Sequence, residues 1–156
     1  MTFLELELGT IVGHLVSLAL AFVFALPVAW DRERSSRGMG LRTYPLVAMG
    51  SAALVLMAQV VLEGHPETQA RILQGLITGI GFLGGGAIVK NGTEVKGLAT
   101  AATLWSTALV GAAVAYSRYE IALALSVANF CVIRFLRPLK DELNEADGTE
   151  EEERAS

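Results

Sequence analysis

Long uncharged apolar stretches alternate with short polar segments along this chain. Leu8–Trp30, Thr43–Leu62, Ile72–Val89, Gly97–Ser117 and Ile121–Ile133 contain no Asp, Glu, Lys or Arg. A helix rising 1.5 Å per residue needs about 20 residues to cross about 30 Å of hydrocarbon. The first four stretches meet or nearly meet that length. The fifth reaches only about 20 Å unless Arg134 snorkels and "FLRPL" continues the helix. The pattern predicts an all-α integral membrane protein, a polytopic bundle of about five transmembrane helices. They run near 8–30, 43–62, 72–89, 97–117 and 120–136, within a membrane domain of residues 1–140. Four spans plus a re-entrant or interfacial fifth helix is the alternative.

Composition agrees with this reading. Of 156 residues, 53% are hydrophobic and only 18% charged, with a mean hydropathy of +0.49. A soluble domain carries about 25% charged residues. The net charge of −4 gathers in the tail "DELNEADGTEEEERAS", so residues 141–156 are expected to be an acidic, disordered extension. The N-terminus "MTFLELELGT" lacks a basic n-region and does not resemble a cleaved leader, so the first span is expected to act as its own insertion signal. Cys131 stands alone in an apolar stretch and reads as a small packed hydrophobe.

Basic residues orient the bundle. Arg32, Arg34, Arg37, Arg42, Lys90, Lys96, Arg134, Arg137 and Lys140 fall on one side of a five-span chain, Arg71 and Arg118 on the other. This bias predicts an N-terminus outside and a cytoplasmic C-terminus, in a multi-pass inner-membrane protein.

The densest chemistry is "GLITGIGFLGGGAIVKNG". Gly75 and Gly79, and likewise Gly81 and Gly85, are spaced by four and would share a helix face, allowing a neighbouring helix to approach closely. Gly84, Gly85 and Gly86 would alternatively unwind the helix end and expose backbone groups to a cavity. Packing hub and broken-helix site both remain open at this point. The second group is a polar cluster of Asp31, Glu33, Arg34, Arg42 and Thr43 beside Lys90, Glu94 and Lys96. It reads as interfacial anchoring with Glu33 paired to Arg34 or Arg42. Two carboxylates on a loop do not make a magnesium site, because Mg²⁺ demands near-octahedral geometry. No metal or other cofactor is expected.

Inside the uncharged stretches the polar side chains include His14, Gln59, Gln74, Thr78, Ser106, Thr107 and Asn129, without an acid or lysine, which argues against a proton-coupled pump. His14 reads as a hydrogen-bonded interfacial residue. Gln74, Thr78, Thr103 and Ser106 read as interhelical hydrogen-bond partners. No catalytic triad, metal-ligand spacing or phosphate loop is present, and the glycines follow no strand. We read no enzyme, no catalytic residue and no nucleic-acid partner.

Glu33-Arg34, Gly40 to Thr43, Gly79 to Gly86 and Gly97 to Trp105 occur in the order Glu-Arg, Gly-Leu-Arg-Thr, Gly-Ile-Gly-Phe-Leu-Gly-x-Gly and Gly-Leu-x-Thr-Ala-Ala-x-x-Trp. Over roughly residues 12–136 the chain thereby resembles the MgtC/SapB family of bacterial inner-membrane proteins, in a short form. Pro27, Trp30 and Asp31 depart from the pattern before the Glu-Arg pair and suggest a divergent subgroup. Virulence-associated members carry an ACT-like C-terminal domain; this chain ends before one, so regulation through it is not expected. The resemblance implies a role in adaptation to low magnesium and related stress, with membrane-protein partners such as ATP synthase. The small residues of span three and of "ATAATLWSTALVGAA" would be the binding surfaces. A homo-oligomer is compatible with them. The competing expectation is an oligomeric small-ion channel or transporter with a cytoplasmic site near Glu33, Arg42 and Gly84–Gly86.

Overall fold

The computed structural model describes residues 2–35, 40–92 and 94–136. The acidic segment 141–156, with Arg37, Arg137 and Lys140, lies outside them. Five helices form a bundle: α1 (Thr2–Ser35), α2 (Thr43–Val61), α3 (Pro66–Gly86), α4 (Leu98–Ala115) and α5 (Tyr119–Leu136). Four of them, all but α3, are long and apolar enough to cross a membrane. The chain is therefore a membrane protein surrounded by lipid along these helices.

The fifth stretch, the shortest uncharged run, lies as expected in a longer helix of 18 residues that meets the requirement, because Tyr119, Glu120 and Arg134 are helical too. The third does not. α3 has 21 residues, but Glu67, Gln69, Arg71, Gln74 and its glycines dilute the apolar side chains. It also starts earlier than 72, since His65 caps it and Pro66 occupies the first turn, where a missing N–H costs nothing. Between α3 and α4 a hairpin pairs β1 (Val89–Asn91) with β2 (Glu94–Lys96), with Lys90 opposite Val95. Gly92 follows the Asn91–Glu94 pair at its tip and takes φ +63°, as a tight hairpin turn requires.

Contacts fix an up-and-down arrangement. Val28 and Ala29 of α1 cluster with Tyr44 of α2, Leu104 of α4 and Ile133 of α5. Gly84 of α3 meets Ala101 of α4. The end of α1, the starts of α2 and α4, and the ends of α3 and α5 thus share one end of the bundle. Arg32, Arg34, Arg42, Lys90, Lys96 and Arg134 belong to that end, Arg71 and Arg118 to the other.

The central helix is α4, which touches α1, α2 and α3 and is bonded to α5 through Asn129 and Ser106. Half of its spanning segment is buried, against 17% in α1 and α5. Its "ATAATLWSTALVGAA" face is consumed within the chain: Thr103, Leu104, Thr107, Ala108, Val110, Gly111 and Ala112 are all buried. Gly111 makes the tightest crossing. A Cβ there would lie 2.8 Å from the carbonyl carbon of Ala48, inside van der Waals contact, so α2 and α4 meet backbone to backbone.

Gly111→Ala is accordingly expected to destabilise the bundle by about 1–3 kcal/mol through forced separation of α2 and α4. Gly75→Ala, where a Cβ meets nothing within 4 Å, leaves stability unchanged. Reversible unfolding in mixed micelles compares the two.

Candidate functional site

The sequence singled out six glycines, and the structure separates them. Gly84 alone packs within the chain, 3.4 Å from the Ala101 carbonyl oxygen measured from an ideal Cβ. Gly75, Gly79, Gly81, Gly85 and Gly86 face open space. The helix stays intact through all of them to Gly86. The carbonyls of Gly84 and Gly85 accept hydrogen bonds from Ala87 N–H (3.0 Å) and Ile88 N–H (3.1 Å), so the glycine run ends in an ordinary capped turn. As an intramolecular hub the strip works at one position; the rest is bare backbone on the outside of α3.

Beside this strip α2 and α3 splay apart. A cleft of about 390 Å³ opens between them, with Arg42 and Thr43 at its mouth, Leu46, Leu76, Ile80 and Leu83 on its walls and Ser51 inside. A second apolar hollow of about 380 Å³ continues toward Arg71 along Leu54, Gly75 and Gly79. Ser51 is 2% exposed, and its hydroxyl has no hydrogen-bond partner. An unmet buried hydroxyl costs about 1–3 kcal/mol.

The polar cluster is assembled by helix ends. Asp31 and Arg32 follow Val28 and Ala29 by three residues each, so they share the inward face of α1 and are half-buried. One carboxylate oxygen of Asp31, Oδ2, is buried without a partner among the described residues. Glu33 does not pair with Arg34 or Arg42 among the described residues. Its Oε2 accepts the Leu41 N–H at 2.9 Å instead, closing the turn that brings α2 back beside α1. Gly40 makes room for this contact, since a Cβ there would lie 2.6 Å from Glu33 Cα. Arg34 turns outward and stacks on Trp30, 4.9 Å from the ring centroid, an interfacial cation–π pair. Arg42 and Thr43 join the cleft rather than Glu33.

Three interhelical polar contacts hold the bundle at different levels. The Tyr44 hydroxyl, fully buried, shares a 2.7 Å hydrogen bond with Thr103 Oγ1. Asn129 Nδ2 donates to Ser106 Oγ at 2.8 Å, and Ser126 Oγ donates to the Phe24 carbonyl at 2.6 Å. Thr103 and Ser106 thus act between helices as their positions suggest. Thr78 instead donates to its own helix at Gln74 O (2.9 Å), and Gln74 is exposed. Tyr44 and Ser126 were not singled out in the sequence; an aromatic hydroxyl following Gly-Leu-Arg-Thr in an apolar run is the signal that marks the first. His14 is half-buried in a third apolar hollow with Leu18, Met57 and Val60. Among the described residues no three His, Cys, Asp or Glu side chains gather as metal ligands.

Glu33→Ala is expected to release the Leu41 amide, raising its hydrogen-exchange rate and costing about 1 kcal/mol. Glu33→Gln keeps a carbonyl acceptor and retains most of the protection. Site-resolved exchange at Leu41 reads both.

Residues 18–142 match the MgtC family. An uncharacterized protein of Synechocystis is 40% identical over 130 residues, 83% of this chain and 55% of its own length. Protein MgtC of Salmonella typhi is 33% identical over 141 residues, covering 90% of this chain and 60% of that protein. Protein MgtC of Brucella abortus is 39% identical over 122 residues, 78% of this chain and 50% of its own length. The chain spans about half to three-fifths of the length of these relatives. No solved structure matches it. With most of the bundle covered by the family match and the relatives agreeing over the same region, this chain belongs to the MgtC family.

Proposed function

We propose that this chain is a non-enzymatic inner-membrane protein of the bacterial cell, with a cytoplasmic C-terminus. It serves adaptation to low magnesium or related stress by binding other membrane proteins through small-residue helix faces. The observation that carries this reading is the outward strip of α3. In lipid, helices gain little hydrophobic energy by associating, and close backbone contact with interhelical hydrogen bonds supplies the attraction. Gly75, Gly79, Gly81 and Gly85 offer such contact with no Cβ contact inside the chain. The α4 face that shares this composition is already spent on α2.

Family membership supports the magnesium-related role, and ATP synthase is the partner that the resemblance suggests. The concentration of Arg32, Arg34, Arg42, Lys90, Lys96 and Arg134 at one end supports the orientation through the positive-inside tendency. The ion-path reading has less support: Glu33 is occupied by the Leu41 amide, and the Gly84 and Gly85 carbonyls already accept hydrogen bonds.

Cross-linking and co-purification from native membranes of cells grown in low and high magnesium test the proposal. The expected result is a stoichiometric membrane-protein partner enriched at low magnesium, such as ATP synthase subunits, lost in Gly81→Leu and Gly85→Leu variants that remain folded. Normal growth of a deletion strain at limiting magnesium, with no partner recovered under either condition, refutes it.

A further inference from the structure

We propose that the cleft between α2 and α3 is filled by α3 of a second copy of this chain, in a symmetric dimer whose two-fold axis runs along the membrane normal. The inference does not rest on the partner reading above: the self-contact takes the Gly75 and Gly79 side of α3, while Gly81 and Gly85, on another side of the same helix, stay open to a different protein.

The argument begins with what α3 leaves open. It is the one helix too polar to qualify as a spanning segment, yet among its residues only Leu76, Ile80 and Gly84 are buried. Gln74 and Thr78 point away from the chain, and Phe82 is 83% exposed. Hydrocarbon is a poor surrounding for an exposed amide and for bare glycine backbone, whereas a neighbouring helix suits both. The adjoining cleft has the opposite deficiency. It is walled by apolar side chains and contains Ser51, whose buried hydroxyl has nothing to bond.

Symmetry then selects the occupant. A two-fold axis along the membrane normal keeps every residue at its own depth, and an isologous contact must place both complementary halves on one patch. Ser51 lines the cleft together with Leu76 and Ile80. Thr78 lies between those two on the same helix, within about 3 Å of each along the axis. Its hydroxyl proton is committed to Gln74 O, but a hydroxyl oxygen can still accept. At that depth the chain therefore holds both a donor without an acceptor, Ser51, and an exposed acceptor, Thr78.

Shape repeats the match one turn further along α3. Phe82 projects at the level of Leu83, which walls the wide mouth of the cleft with Leu46. Gly75 and Gly79, four apart and bare, lie where the two α3 helices cross and let the backbones come close. Every contact occurs twice: Ser51 of each copy donates to Thr78 of the other, and Phe82 of each fills the other's cleft.

The test uses the full chain in a Cys131→Ser background, which removes the native thiol. Ser51→Cys and Thr78→Cys are made in separately tagged copies, co-expressed and oxidised in membranes. The expected result is a disulfide-linked dimer joining the two tags, absent when Ser51→Cys is paired with Leu123→Cys on the outer face of α5. Phe82→Ala removes a surface side chain that the monomer does not need, and is expected to weaken self-association in vesicles about tenfold, read by energy transfer between labelled copies. A chain that stays monomeric in vesicles overturns the proposal, as does a dimer with no disulfide above the control and no response to Phe82→Ala.

Discussion

The bundle depends on one missing methyl group. Where α4 crosses α2, Gly111 lies against the Ala48 carbonyl at a distance no side chain tolerates. In water such a contact would be one detail among many buried apolar surfaces. In a bilayer the surrounding tails are as apolar as leucine, and helices gain from each other mainly by packing tightly and exchanging hydrogen bonds. The small residues Ala48, Ala52, Ala108 and Ala112 of the same core let the two axes run close. Once they do, Tyr44 reaches Thr103 and fixes the register of α2 on α4. Asn129 on Ser106 and Ser126 on the Phe24 carbonyl then attach α5 to that pair and to α1. Each of these bonds joins a different pair of helices, so no one of them can slide without breaking one.

α3 obeys a different rule. It is held by Gly84 against Ala101 and by Leu76 and Ile80 at the core edge, and otherwise stands apart. A glycine-rich helix is costly in water, by about 1 kcal/mol per glycine relative to alanine. In hydrocarbon the backbone has no other hydrogen-bond partner and remains helical. The same glycines then leave peptide groups uncovered, at Gly75 and Gly79 beside the hollow against α2 and at Gly81 and Gly85 elsewhere on the helix surface. The helix richest in glycine thus buries only Leu76, Ile80 and Gly84 within the monomer, while the helix at the centre, α4, uses one glycine where it counts.

This explains which features the sequence revealed. Uncharged length locates α1, α2, α4 and α5, because a lipid-facing helix must be apolar all round and that requirement is visible without knowing any contact. It misplaces the start of α3, since Glu67, Gln69 and Arg71 interrupt an uncharged run without interrupting a helix. It also conceals the hairpin, although Asn91-Gly92 between Val89 and Val95 is a legible turn signal. Small-residue spacing shows that a close approach is possible, but not from which side. The "ATAATLWSTALVGAA" face turned out to be internal and the α3 strip external, a distinction that rests on Gly111 meeting Ala48. Charge pairing was the least legible. Glu33 lies near Arg34 and Arg42 in the sequence, yet a backbone amide is the nearer partner once the chain turns at Gly40.

That turn has consequences beyond its own hydrogen bond. By closing the connection between α1 and α2, the Glu33 carboxylate holds the end of one helix and the start of the next at the same level. Arg32, Arg34 and Arg42 are thereby kept in one layer, which the hairpin lysines and Arg134 extend around the bundle. Arg34 is tethered outward by Trp30, whereas Arg42 stands at the mouth of the α2–α3 cleft. The basic rim and the open cleft are consequently neighbours by construction. Anything that fills the cleft from within the membrane lies alongside Arg42 at this end, and loosening the Glu33 turn would shift that end without touching the α2–α4 crossing on which the fold rests.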